Sequence, residues 1–104
     1  MGLIVSRRKK IDGIAPRTEK EVTIQNRNGL HARPAALFVK LASKYRVALW
    51  VEKDGERVNG KSIMGLMMLA ACKGTRLKLI AEGSGSEKVI SEIQSLLESR
   101  FGEE

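Results

Sequence analysis

The sequence predicts an α+β fold: a two-layer open-faced sandwich whose four-stranded antiparallel sheet carries three helices on one face, in the order βαββαβα. Two observations carry this expectation. Four short half-apolar strand segments interleave with three stretches whose apolar residues recur at helical spacing, and turn or cap residues punctuate the boundaries. Strands with one apolar face and helices with one apolar stripe bury both surfaces together when the helices cover one side of the sheet. At 104 residues the chain makes one domain with a modest core.

Val22 and Ile24 alternate with Glu21, Thr23 and Gln25, the period of a half-buried strand, and Asn26 to Leu30 form a loop. From Ala32, the set Leu37, Phe38, Leu41, Ala42 and Tyr45 marks a first helix ending near Ser43 or Lys44. Val47, Leu49 and Val51 restart the alternation, Asp54 and Gly55 supply a hairpin turn, and Arg57 to Asn59 form a short return strand. Ser62 is placed as the N-cap of a second helix with Ile63, Leu66, Met67 and Ala70 as apolar positions and Gly74 as its stop. Leu77, Leu79 and Ala81 make the fourth strand. After the Gly83 to Ser86 turn, Ile90, Ile93, Leu97 and Phe101 line one side of a third helix.

The formal net charge is +7, of which residues 1–20 contribute +4 through six basic side chains against Asp12 and Glu19. Residues 1–18 are therefore read as a basic, flexible extension and residues 19–104 as the domain. Met1, Gly2 and Ser6 fit the N-myristoylation pattern, but that pattern is short and is discounted. No apolar stretch is long enough to cross a bilayer and no secretory signal is visible, so a cytoplasmic protein without stable membrane association is expected. The single cysteine, Cys72, excludes an internal disulfide, and its neighbours Met68, Leu69 and Ala71 favour a small core residue over a reactive thiol.

The chemistry concentrates on the only histidine, His31, directly before the first helix. The first N–H groups of a helix lack intrahelical partners and its N-terminus is partially positive, so a side chain there lies beside an anion cradle. Arg33 adds a full cation, Pro34 is tolerated in a first turn, and Gly29 permits an unusual backbone approach. A neutral imidazole in this position can take a phosphoryl group, with the N–H groups of Ala32 and Arg33 and the Arg33 guanidinium balancing its charge. No Walker loop, kinase signature or metal constellation is present, so partners must supply the transfer machinery, and no cofactor or metal is expected. A basic α+β domain also describes RNA-recognition folds, but those stack bases on paired strand aromatics, and here only Trp50 falls on a strand. A small-molecule regulatory domain leaves His31 beside Arg33 unexplained.

The string GLHARPAA at His31 and the block NGKSIMGLMMLAACKGTRLKL at Ser62, together with the interval between them, resemble the HPr family of histidine phosphocarriers of the bacterial phosphotransferase system. The resemblance spans roughly Glu21 to Phe101. It implies the same open-faced sandwich, and a carrier that is not itself an enzyme. The phosphoryl group would come to Nδ1 of His31 from phosphorylated enzyme I and pass to a sugar-specific or nitrogen-type enzyme IIA acceptor. It further implies regulatory phosphorylation of Ser62 by HPr kinase/phosphorylase, and a partner-binding surface of Lys40, Ile63, Met64 and Met67, with Gly65 keeping that ridge low. Met68 is read instead as core filler.

Overall fold

Val22, Leu49, Val51, Leu77, Leu79 and Ala81 fall on one face of a single sheet, as their period-two spacing dictates. A computed structural model of the protein describes residues 16–103. The elements are β1 (Arg17–Thr23), α1 (Ala32–Ala42), β2 (Ala48–Lys53), β3 (Glu56–Asn59), α2 (Ile63–Met68), β4 (Arg76–Glu82), α3 (Ser86–Glu98) and a 3-10 turn (Arg100–Gly102). Every strand pair is antiparallel and the sheet order is β1-β4-β2-β3. The expected βαββαβα sandwich is therefore the observed fold. Most of the expected basic extension lies outside the described residues, but β1 already begins at Arg17. Arg17 pairs with Glu82 and Thr18 with Ala81, so these two residues belong to the sheet.

The β2–β3 turn needs two positive φ values, and Asp54 (φ 51°) and Gly55 (φ 85°) supply them between the paired Lys53 and Glu56. The core lies between sheet and helices: Ala35, Phe38 and Ala42 from α1, Leu66 from α2, and Val89, Ile90, Ile93 and Leu97 from α3 cover the inner strand residues. Ile80 is buried as well, although alternation sends it to the face opposite Leu79 and Ala81. It stands in register with Trp50 and Glu19 there. The Arg57 guanidinium lies 6.0 Å from the Trp50 ring centroid.

Two helices end earlier than their apolar spacing predicts. Helix α2 stops at Met68, because Ala70 takes φ 52° and turns the chain before Gly74. With so short a helix only Leu66 is buried within it, while Ile63 and Met67, expected to share its apolar stripe, are exposed. Helix α3 stops at Glu98, and Arg100, Phe101 and Gly102 follow with φ of 58°, 55° and 73°. Phe101 is thus not on a helix face; it reaches the core from a left-handed turn, where it is 2 % exposed. Two non-glycine residues in that conformation cost roughly 1–2 kcal/mol each. Burial of the phenyl ring returns roughly 1.5–3 kcal/mol. Phe101→Ala should accordingly lower the unfolding free energy by about 3–5 kcal/mol. Urea titration checks this, and a loss under about 1 kcal/mol would mean that the ring does not hold the turn.

Candidate functional site at the start of helix α1

The loop before α1 is shaped by one glycine. Gly29 has φ +69°, and a Cβ there would stand 2.3 Å from the Ala71 carbonyl oxygen and 2.8 Å from Cys72 Cα. This closeness lets the Leu30 N–H donate to the Ala71 carbonyl at 2.9 Å. Before the loop, the Ile24 N–H donates to the Thr75 carbonyl, and the Gly74 N–H donates back to the Ile24 carbonyl. The loop is therefore laid on the segment linking α2 to β4, and its exit delivers His31 to the N-cap of α1.

His31 has extended backbone (φ −82°, ψ −169°), and its carbonyl accepts the first helical bond from the Ala35 N–H at 2.9 Å. Its ring makes no capping bond. Pro34, at the third helical position, has no N–H to offer. The donors that the first turn leaves free are thus those of Ala32 and Arg33, beside an imidazole that is 41 % exposed. Arg33 is exposed at this end, and Lys40, two turns further along the same helix face, is exposed as well.

A residue that the sequence reading missed completes the site. Glu103 lies 72 positions beyond His31, and its Oε2 stands 3.1 Å from His31 Nε2 and 3.5 Å from an Arg33 guanidinium nitrogen. Its Oε1 accepts from Asn26 Nδ2 at 3.0 Å, and the same amide donates to the Gly29 carbonyl at 2.8 Å. Both neighbours are acceptors, so the nitrogen must face them and Asn26 Oδ1 must face away. That oxygen is the one buried side-chain nitrogen or oxygen without a partner among the described residues. The Asn26 bond holds the Glu103 carboxyl below its ordinary value; burial opposes this, and His31 and Arg33 reinforce it. Because the folded value is lowered, the contact stabilises the fold above the ordinary carboxylate range and fades as pH falls through the folded value. The signal was present in the Asn at position 26 and the Glu after Phe101, but only the left-handed turn brings them together.

Ser62 occupies the predicted N-cap of α2, its Oγ accepting from the Gly65 N–H at 2.9 Å. Ile63, Met64 and Met67 are exposed, as the resemblance implies, and they form an apolar surface with Met68. Two expectations are corrected. Met68 is 67 % exposed rather than core filler, and Cys72 is exposed rather than buried, its Sγ 3.5 Å from Thr75 Oγ1. Met68 lies within α2, but two residues past Leu66 it falls on the opposite side of the helix, while Leu69 continues the inward side; Cys72 lies beyond the turn at Ala70, where Ala71 takes the inward position. Met67 also borders the shallow hollow that His31 shares with Leu30, Ala71 and Cys72, so the apolar surface adjoins the histidine. Among the described residues no group of side chains could hold a metal ion. No helix among them is long and apolar enough to cross a membrane.

Residues 18–99 match the family described as PTS HPr component phosphorylation site. The chain belongs to the HPr family. It is 44 % identical over 85 residues to the phosphocarrier protein HPr of Neisseria meningitidis, a match covering 82 % of this chain and 96 % of that one. It is also 44 % identical over 80 residues to the HPr-like protein Crh of Halalkalibacterium halodurans, covering 77 % and 95 %. The crystal structure of HPr from Thermoanaerobacter tengcongensis superposes with a TM-score of 0.81 at 53 % identity, covering 84 % of this chain and 98 % of that one.

The two HPr-like blocks are separate in sequence, yet the Leu30–Ala71 hydrogen bond joins them in space. Gly29 is the residue that permits the approach. Gly29→Ala should destabilise the domain by about 1–3 kcal/mol through overpacking, with further strain from the positive φ. Amide spectra should show the shifts centred on Leu30, His31 and Ala71. A variant that melts like the parent with those resonances unmoved would show that the loop has room to spare.

Proposed function

We propose that the protein is a cytoplasmic phosphocarrier that accepts a phosphoryl group on His31 from phosphorylated enzyme I and passes it to an enzyme IIA-type component. The acceptor is of the sugar-specific or the nitrogen type. The observation that carries this reading is the placement of His31, half-exposed and uncapped, beside the free N–H groups of Ala32 and Arg33 and the Arg33 side chain. Membership of a family described by its phosphorylation site supports it. In each transfer a ring nitrogen's lone pair forms the bond to phosphorus while the bond to the donor breaks, the donor keeping its electron pair. The three phosphoryl oxygens then meet two backbone donors and a guanidinium at the positive end of α1. The chain brings no cofactor to this step; the partners complete it.

The partner surface is read as Lys40 together with Ile63, Met64 and Met67, the flexible methionines fitting one surface to several partners. Ser62 is read as the regulatory site of HPr kinase/phosphorylase, at the edge of that surface and at a helix start whose dipole tolerates added negative charge.

Incubation with phosphoenolpyruvate and a cognate enzyme I should place one acid-labile, base-stable phosphoryl group on the protein, and His31→Ala should abolish it. Arg33→Ala should fold normally and accept the group roughly tenfold to a hundredfold more slowly, the worth of one charged hydrogen bond. Labelling of the alanine variant at position 31 would end the proposal, and an unchanged rate in Arg33→Ala would show that the helix end suffices. Ser62→Asp keeps a good N-cap, so its melting should stay within about 0.5 kcal/mol of the parent. Its phosphorylation by enzyme I should slow roughly tenfold, because an unpaired anion must be desolvated on docking. Equal melting with an equal rate would leave Ser62 as a cap only.

A further inference from the structure

Building on the reading of His31 as phosphoryl acceptor, we propose that Glu103 is a positioning residue for it: the carboxylate keeps the ring proton on Nε2 and so reserves Nδ1 for the phosphoryl group. An ionised carboxylate can only accept hydrogen bonds. A neutral imidazole has one N–H, so the nitrogen 3.1 Å from Glu103 Oε2 carries it and the other nitrogen keeps its lone pair. That lone pair is free to react. His31 makes no capping bond, and no hydrogen bond reaches Nδ1 from any of the described residues.

The carboxylate is itself held on both oxygens. Oε1 accepts from the fully buried Asn26, which is fixed in turn to the Gly29 carbonyl, and Oε2 also faces the Arg33 guanidinium at 3.5 Å. The backbone is held as well: Phe101 anchors the left-handed turn in the core, and the Glu103 N–H donates to the Arg100 carbonyl at 2.8 Å. Two non-glycine residues at positive φ are kept there by this turn, and such strain gathers where a side chain has to be aimed.

The arrangement also bears on the outgoing transfer. When the Nδ1 lone pair bonds to phosphorus and the donor departs with its electron pair, the ring holds phosphorus on Nδ1 and a proton on Nε2. It is then cationic, with its N–H on Glu103. A protonated ring leaves more readily than a neutral one would leave as an anion, so the same carboxylate keeps the group transferable.

The test uses the full chain and potassium phosphoramidate, a small donor whose nitrogen leaves as ammonia, so that no partner protein dictates the geometry. Phosphorus NMR separates the Nδ1 and Nε2 isomers of phosphohistidine. The parent should give the Nδ1 isomer. Glu103→Ala should raise the share of Nε2 isomer roughly tenfold, the value of one charge-assisted hydrogen bond. Glu103→Gln, whose amide oxygen still accepts, should restore most of the selectivity. Predominant Nε2 labelling of the parent, or an alanine variant that folds and keeps the parent ratio, would overturn the assignment. Should the alanine variant fail to fold, nitrogen-15 shifts of the parent ring decide: a proton on Nε2 in the neutral form is expected, and one on Nδ1 refutes it. Absence of any label on His31 would refute the acceptor reading itself, which is a different outcome from a changed isomer ratio.

Discussion

The contact of Gly29 with the Ala71 carbonyl governs the geometry of the whole site. The loop from Asn26 to Leu30 has no regular ladder of its own; its order comes from the bonds that Ile24 before it and Leu30 at its end make to the irregular segment from Ala71 to Thr75, and from the Asn26 amide underneath. Fixing that loop fixes the direction in which the chain enters α1. Fixing that direction puts the imidazole of His31 outside the helix rather than over its N-terminal donors, which therefore remain free. The apolar surface of α2 shares this dependence, because Ala71 follows directly on the turn that ends that helix.

Much of this was legible in the residues, and most of the exceptions have a common cause. Period-two alternation located the strands, Asp54 and Gly55 located the hairpin, and Ser62 was recognisable as a cap because its short hydroxyl, placed just before an apolar helical run, reaches a free N–H of the first turn. Each of these signals acts over a few residues. What the sequence did not show was where left-handed residues interrupt an apolar stripe. Ala70, Arg100 and Phe101 are ordinary helix residues by propensity, and only packing forces them to positive φ. Cys72 accordingly seemed to continue a buried face that had already ended and Phe101 seemed to extend α3, whereas Met68 was assigned to the core although it falls on the outer side of α2. Glu103 was invisible for a related reason, since its partners lie 72 and 77 positions away along the chain.

Within the site, charge is balanced by short links rather than by many. One carboxylate serves a ring nitrogen, a guanidinium and a buried amide, so a change at any of these groups is felt by the other two. The apolar surface beside it follows another logic. Ile63, Met64, Met67 and Met68 are exposed and the unbranched methionines adapt readily in shape, whereas the histidine ring is held at Nε2 by Glu103. On the proposed function, a firmly placed histidine next to a deformable apolar face would reconcile fixed chemistry with varied partners.

The order of strands in the sheet has a consequence for how the molecule comes into being. Strand β4 lies at the centre, paired on one side with β1 and on the other with β2, yet it is the last strand to be synthesised. The β2–β3 hairpin closes over two residues, but β1 must wait for a partner more than fifty residues downstream, and such closures are slow. The bonds that seat the histidine loop on residues 71–75 belong to this late group. On a growing chain, then, the His31 ring is made well before the residues that surround it, so a chain cut before β4 displays the motif without the site.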